Sequence, residues 1–181
     1  MSTTMSFYAI DGNKLRNTIG SNDQAFIQDI RESSNDWLDE SDVDLEAGEV
    51  SSESVLKFLV TGNLSSCDGD ELIRALELVC EQIGIRIPTV EFEDIHLQCG
   101  RLFSELEVAN DFIASPLPFA FPHGLDFHVC YSACHSLQRM LEKCQSMTDI
   151  PVGPIRSMRI AFAEVLEATI ELDKDLIAFQ K

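Results

Sequence analysis

The sequence predicts an α+β domain whose N- and C-terminal strands pair in one small sheet, with several helices packed against it. Three observations lead to this prediction. A short apolar segment with strand character lies near each end of the chain, and between them apolar residues recur mostly at three- and four-residue steps. No period of about 20 to 50 residues repeats, which argues against a solenoid. A chain of 181 residues is short for two ordinary domains, so we expect one domain over residues 1–181.

The N-terminal elements are predicted to be a strand followed by two helices. Residues 6–10 are largely aromatic or aliphatic and precede an Asp11–Gly12 turn, which predicts the opening strand. Residues 13–19 form a short helix. The hydroxyl of Ser21 can accept free backbone N–H groups of a following turn, so we expect it to cap a helix that reaches about Ser33.

The middle of the chain is predicted to be helical. A serine at 51–52 caps a helix that ends at Gly62–Asn63. Residues 68–83 form the clearest helix, because their apolar side chains recur on one face and Gly84 stands just past the end. The segment Ile85–Pro88 breaks this helix, and residues 93–108 form another.

The C-terminal elements alternate between extended and helical segments. Residues 114–124 contain three prolines, which indicates either extended coil or an edge strand. A strand is predicted over 127–131, and helices are predicted over 132–146 and 155–172. Residues 176–179 form the closing strand.

The strongest compositional feature is an excess of acidic residues. The chain has 31 acidic and 13 basic residues, a formal net charge of −18 and a pI of about 4.3. Such a chain repels nucleic-acid phosphates and anionic lipids, and its basic residues are scattered singly, so we expect neither a nucleic-acid nor a membrane partner. The charge serves solubility, or it forms a surface for a cationic protein partner. The sequence does not indicate an oligomeric state.

The N-terminus and the cysteines indicate a cytoplasmic protein. The first ten residues lack the basic region and the apolar run of a secretory signal, and no segment approaches the roughly 18 apolar residues of a membrane span. Several cysteines lie on the apolar side of predicted helices, where a thiol acts as a small hydrophobe. We therefore expect reduced thiols instead of a disulfide framework. The six cysteines are Cys67, Cys80, Cys99, Cys130, Cys134 and Cys144.

A segment at about residues 35–53 concentrates acidic residues and contains no Lys or Arg. Like charges this close repel one another, and few apolar residues are present to anchor them, so we expect an exposed loop. This segment is the predicted binding surface for a basic partner. Its candidate contact residues are Asp36, Trp37, Asp39, Glu40, Asp42, Asp44, Glu46 and Glu49.

The same segment falls short of a calcium-binding loop. Acidic residues stand at positions one, three, five and twelve of an EF-hand pattern, namely Asp42, Asp44, Glu46 and Glu53. The sixth position requires a glycine for its sharp turn, but Ala47 occupies it. We therefore predict a solvated loop without a bound metal ion.

The proline-rich segment Pro116–Pro122 interleaves its prolines with leucine and phenylalanine. One interpretation is a loop that wraps the core and buries two phenylalanines. The other is the rim of a groove or interface, because stiff prolines lose little entropy on binding. The second interpretation gives a possible pocket made of Phe119, Phe121, His123, Asp126 and His128.

Sulfur and imidazole side chains cluster at His128, Cys130, Cys134 and His135. The chain has no paired Cys-x-x-Cys knuckle here, and adjacent Cys134 and His135 point apart on a helix, so we predict no metal site. Cys130 beside a histidine is the only local nucleophile candidate, and glycine-rich phosphate motifs are absent. The sequence does not show whether these four side chains converge. We predict no catalytic residue and no cofactor.

Three patches of the N-terminal half carry a family resemblance. They are Tyr8–Asp11 with a following helix that ends at Ile19–Ser21, the leucine-rich Val55–Gly62 and the helical Glu71–Cys80. These patches resemble the YfbM-like family of small uncharacterised bacterial proteins, and the resemblance ends near Pro88. It implies a cytoplasmic bacterial α+β protein without an established role, and it supplies no catalytic residues.

The sequence favours a non-enzymatic function. The net charge and the lack of an assembled catalytic motif predict a protein-interaction or immunity-type protein that binds a basic partner. The alternative is a small enzyme or ligand-binding domain that uses a pocket near residues 114–135. A deep pocket with a converging histidine and carboxylate would favour this alternative.

Overall fold

The structure is a computed structural model, and it describes residues 5–34, 38, 50–63, 69–88, 112, 117–119, 129–147 and 154–180. The described residues form four strands, β1 (Met5–Ile10), β2 (Ile85–Ile87), β3 (Val129–Ser132) and β4 (Asp175–Gln180). They also form six helices, α1 (Gly12–Thr18), α2 (Gln24–Ser33), α3 (Ser52–Thr61), α4 (Gly69–Ile83), α5 (Cys134–Ser146) and α6 (Pro154–Glu171). No helix in this part of the chain combines the length and apolar character of a membrane span.

The two terminal strands are the centre of a four-stranded antiparallel sheet in the order β2-β1-β4-β3. Strands β1 and β4 pair along their whole length, from Met5 opposite Gln180 to Ile10 opposite Asp175. This arrangement confirms the predicted α+β fold and the predicted pairing of the chain's two ends.

Both faces of the sheet are covered, so the fold has three layers. Phe7, Ala9 and Ala178 lie on one face, in a core completed by α5 and α6; we call this the two-helix face. Tyr8 and Ile177 lie on the opposite face, in a core completed by α1 to α4; we call this the four-helix face. Every residue of β1 is buried, which explains why this strand lacks apolar–polar alternation.

The connection between α1 and α2 docks on the end of α3 through backbone contacts. Gly20 N donates to Leu59 O at 3.4 Å, and Asn22 N donates to Val60 O at 3.0 Å. Gly62 ends α3 in the left-handed conformation, with φ of 79°. A Cβ at this position would lie 3.2 Å from the Cα of Gly20, so glycine allows both the turn and the close approach.

The N-cap of α2 differs from the prediction. Asp23, and not Ser21, caps the helix, because its Oδ1 accepts the N–H groups of Ala25 and Phe26 at 3.0 and 3.1 Å. The Ser21 hydroxyl instead accepts the N–H of Asp23 at 3.2 Å. Ser21 therefore shapes the turn that brings the capping carboxylate into place.

The segment Ile85–Pro88 ends α4 as predicted, but its first three residues also form β2, which the sequence did not predict. Gly84 makes this possible, because a Cβ there would lie 2.7 Å from Cys80 O of α4 and 3.0 Å from Ala9 O of β1. Ile85 is 50% exposed, and a three-residue edge strand gives little apolar pattern.

The other predicted boundaries have mixed outcomes. Ser132 was predicted to open a helix, but it is the last residue of β3, and α5 begins at Cys134. The helices predicted at 13–19, between the serine cap at 51–52 and Gly62–Asn63, at 68–83 and at 155–172 are confirmed to within about two residues. The helix predicted over 93–108 lies outside the described residues, as does most of 114–124.

The glycine contact between the α1–α2 connection and α3 gives a stability prediction. We expect Gly62→Ala to lower the free energy of unfolding by about 2 kcal/mol, through left-handed strain and through the contact with Gly20. The matched variant Gly20→Ala has the same strain at φ of 77°, but its nearest neighbour is 3.9 Å away, so we expect about 1 kcal/mol. Urea denaturation of both variants measures the difference, and an equal loss in the two would contradict the contact.

Candidate functional site

Polar side chains meet at the end of the sheet where the central strand β1 ends and its neighbour β4 begins. Asp175 lies at the centre: its Oδ2 accepts the Tyr131 hydroxyl at 2.7 Å, and its Oδ1 accepts the backbone N–H of Cys134 at 2.8 Å. Ala133, the N-cap of α5, gives no side-chain hydrogen bond, so Asp175 supplies the cap from another element. We call Asp11, Tyr131, Cys134, Asp173 and Asp175 the sheet-end cluster.

The first residue of α1 packs directly on this cluster. Gly12 is buried, and a Cβ at that position would overlap the Asp175 carboxylate and lie 2.8 Å from the Tyr131 hydroxyl. The close approach of Gly12 to Asp175 brings Asp11 to the same end of the sheet. Asp11 Oδ1 accepts the N–H groups of Asn13 and Lys14, each at 3.0 Å, and caps α1.

Asp11 is also paired with a cation. Its Oδ2 lies 3.7 Å from Lys174 Nζ, and both side chains are partly exposed. The N–H of Lys14 lowers the pKa of the Asp11 carboxyl most, and Lys174 lowers it further. The carboxylate is therefore occupied by a helix cap and an ion pair, both of which serve the fold.

Two tyrosines stand in one row across the four-helix face. Tyr8 and Tyr131 both face Ile177 in the strand register, one from β1 and the other from β3. Each tyrosine donates its hydroxyl to a carboxylate: Tyr131 to Asp175, and Tyr8 to the buried Glu77 of α4 at 3.0 Å. The pKa of both phenols is raised, with burial as the largest cause and the adjoining carboxylates as the next.

The thiol of Cys134 is held in its protonated form. It donates to Asp173 Oδ1 at 3.5 Å, and its pKa is raised by burial first and by Asp173 next. A thiolate is the form that attacks electrophiles or binds metals, so this cluster disfavours both reactions. Burial also raises the pKa of Cys130 to about 12 and of Cys144 to about 11.

The predicted sulfur–imidazole group is divided between different surroundings. Cys130 belongs to the core of the two-helix face, Cys134 contacts Asp173, and His135 is exposed on α5. His128 lies outside the described residues. Among the residues that the structure describes, no three His, Cys, Asp or Glu side chains are grouped as metal ligands.

Only one side chain of the predicted pocket is described. Phe119 is partly buried and packs against the core of the four-helix face, as Leu117 does. Arg16 fixes this segment to α1, because its Nε donates to Pro118 O at 2.6 Å. The remaining predicted pocket residues lie outside the described part of the chain: Phe121, His123, Asp126 and His128.

An open cleft of about 630 Å³ lies on the four-helix side, between α1, the start of α2 and the end of α4. Polar side chains make up most of its lining, while Phe26 and Ile83 contribute apolar surface. The sequence did not predict this cleft, because its walls come from three separate helices whose relative position depends on the fold. Its lining residues are Asp11, Asn13, Lys14, Asn17, Thr18, Ser21, Asp23, Phe26, Gln82 and Ile83.

The acidic segment is flanked by residues that the structure describes on both sides. Leu38 is only 5% exposed, and Val50 packs against the same four-helix core. Glu53 in the first turn of α3 lies 2.7 Å from Lys57 Nζ and 3.6 Å from Arg31 Nη1. The predicted partner-binding residues themselves lie outside the described part of the chain: Asp36, Trp37, Asp39, Glu40, Asp42, Asp44, Glu46 and Glu49.

The sequence interpretation missed the sheet-end cluster, although one signal was available. Asp11 directly follows the first predicted strand, and Asp175 stands next to the last one. Antiparallel pairing of these strands brings the two carboxylates to the same end of the strand pair. Tyr131 and Asp173 gave no signal of their own, because their contacts depend on the tertiary fold.

Comparison with known proteins gives a family and no activity. DUF7691, a domain of unknown function, matches residues 1–180. No curated protein and no solved structure matches the chain significantly. The match indicates an uncharacterised family, as the resemblance implied, but it does not name the YfbM-like family, so that finer assignment stays a prediction.

The tyrosine row gives a pH prediction. The pKa of each phenol is raised above its unfolded value of about 10, so the stabilisation is complete below pH 10 and is lost as the pH rises beyond it. The chain has only these two tyrosines. We expect phenolate absorbance to rise only as circular dichroism reports alkaline unfolding, whereas the urea-unfolded chain titrates near pH 10. Ionisation of either tyrosine near pH 10 with native dichroism would contradict the buried pairs.

The Cys134 thiol gives a reactivity prediction. Asp173→Asn removes the neighbouring negative charge, lowers the pKa of the thiol and raises its alkylation rate at pH 8 by about 2- to 10-fold. Mass spectrometry of the iodoacetamide-labelled peptide measures this rate. Glu171→Gln is the matched control, because it removes an exposed charge two residues away, and we expect little effect. Equal rates in the two variants would show that Asp173 does not control the thiol.

Proposed function

We propose that this chain, which belongs to the DUF7691 family, is a non-enzymatic interaction protein that binds a basic protein through its acidic segment at residues 36–49. Small acidic immunity proteins mask basic partners in this way, and this is the class of function that we assign. The observation that carries the proposal is that residues 39–49, which hold six of the segment's seven acids, stand between two residues packed in the folded core.

The two anchors are buried residues of the four-helix core. Leu38 is 5% exposed, and Val50 packs against the same core. The intervening residues 39–49 include six acidic residues and no basic residue. Fixing both ends of a segment removes part of its conformational entropy in advance, so less is lost when a partner binds.

The local basic residues are occupied by another acid. Arg31 and Lys57 are the basic residues nearest to the segment in sequence, and both pair with Glu53. These pairs neutralise Glu53, and residues 36–49 themselves contain no basic residue to offset their seven acids. Lys57 lowers the pKa of Glu53 through a hydrogen bond, so this acid remains ionised well into the acidic range.

The acidic excess is unevenly distributed along the chain. Residues 36–49 hold seven of the 31 acidic residues and none of the 13 basic residues, although they make up less than a tenth of the chain. Concentrated charge of one sign accelerates association with an oppositely charged partner more than the same charge spread evenly.

The chemistry of the sheet-end cluster also favours interaction over catalysis. Its carboxylates cap helices or accept hydrogen bonds from a tyrosine hydroxyl and a thiol, so these groups stabilise the fold. The alternative, a ligand-binding or enzymatic pocket near residues 114–135, has one supporting observation. The Arg16–Pro118 hydrogen bond holds residues 117–119 beside α1, next to the same cluster.

Two variants of equal charge test the proposal. In the segment variant, amides replace the seven acids of residues 36–49. In the matched control, amides replace seven exposed helical acids: Asp29, Glu32, Glu81, Glu142, Glu164, Glu167 and Glu171. Each variant removes seven negative charges, so the comparison separates the segment from net charge.

Affinity capture from lysate of the source cells at about 0.15 M salt, with quantitative mass spectrometry, measures binding. We expect the wild type and the control to enrich a basic protein. The segment variant should enrich the same protein at least tenfold less, which corresponds to about 1.4 kcal/mol in binding free energy. Retention by the segment variant, or no basic protein captured by the wild type, would contradict the proposal.

A further inference from the structure

We propose that the cleft between α1, the start of α2 and the end of α4 is a binding site for an uncharged, polyhydroxylated ligand such as a short saccharide. This inference is independent of the basic partner, because it concerns a different part of the surface. The cleft volume of about 630 Å³ lies within the usual range for small-molecule sites, roughly 300 to 1,000 Å³.

The two carboxylates of the cleft already cap the helices α1 and α2. Asp11 accepts two backbone N–H groups and pairs with Lys174, and Asp23 Oδ1 accepts two backbone N–H groups of α2. A metal ion would have to compete with these caps for its ligands. A cationic ligand would have to displace Lys174 to pair fully with Asp11.

The two hydroxyls of the cleft each make one hydrogen bond within the chain. Thr18 Oγ1 donates to Lys14 O at 2.9 Å, and Ser21 Oγ accepts the N–H of Asp23 at 3.2 Å. An anionic ligand would find one ammonium group, on Lys14, facing a cleft that also contains Asp11 and Asp23. The net charge of the lining therefore disfavours an anion.

Two exposed amides lie beside an apolar patch of the cleft. Asn17 is exposed on α1, and Gln82 is exposed on α4, where its Oε1 accepts the Ser33 hydroxyl at 3.5 Å. An amide both donates and accepts hydrogen bonds. A sugar hydroxyl also does both, so the two groups are complementary. Phe26 is half-buried beside them and, with Ile83, can cover the C–H face of a sugar ring.

The test uses NMR to measure saturation transfer from the protein to each of three saccharides at millimolar concentration: cellobiose, maltose and N,N′-diacetylchitobiose. We expect transfer to at least one of the three saccharides. Asn17→Ala and Gln82→Ala are exposed changes that preserve the fold, and each weakens binding about three- to tenfold, as expected for one lost hydrogen bond. Gln138→Ala removes a matched exposed amide on α5 and leaves binding unchanged.

Three results would overturn the proposal: no transfer to any of the three saccharides, unchanged affinity in both cleft variants, or tighter binding of glucose 6-phosphate or spermidine than of the uncharged sugars. The segment variant with seven amides at residues 36–49 should bind the saccharide as the wild type does. Loss of partner capture and loss of saccharide binding are therefore distinguishable.

Discussion

The antiparallel pairing of β1 with β4 is the constraint on which the rest of the structure depends. These strands lie at opposite ends of the chain, yet they form the two central strands of the sheet. Both faces of the pair are buried, one under α5 and α6 and the other under α1 to α4. Neither layer of helices has a complete core without the pair, so helix packing and strand pairing stabilise each other.

This pairing also determines what the polar groups can do. It brings Asp11 and Asp175 to the same end of the sheet, where they cap α1 and α5. It also aligns Tyr8 and Tyr131 on either side of Ile177. Each tyrosine donates to a carboxylate, so these buried polar groups are satisfied inside the protein. The polar groups of the sheet-end cluster thus contribute to the stability of the fold.

The sequence predicted the elements whose signal is local. Apolar residues at helical spacing located α4 and α6, and short apolar runs located β1 and β4. The capping of α2 was assigned to Ser21 because serine and aspartate two residues apart give similar signals, and the carboxylate of Asp23 makes the bonds. Strand β2 was missed, because three residues at an exposed edge show no periodicity.

The candidate sites could be predicted from the sequence to different degrees. The acidic segment is visible in composition alone, since it needs no tertiary information, while its anchoring by Leu38 and Val50 required the fold. The contact of Cys134 with Asp173 joins residues on different elements, which no local pattern indicates. The cleft between α1, α2 and α4 was unpredictable for the same reason.

Native-state hydrogen exchange tests the central claim most directly, because it measures the opening free energy of each backbone amide. If β1 and β4 hold the two layers together, their hydrogen-bonded amides will be the slowest to exchange and will open only with global unfolding. Faster exchange of β1 or β4 through local opening, while the amides of α4 stay protected, would contradict this account.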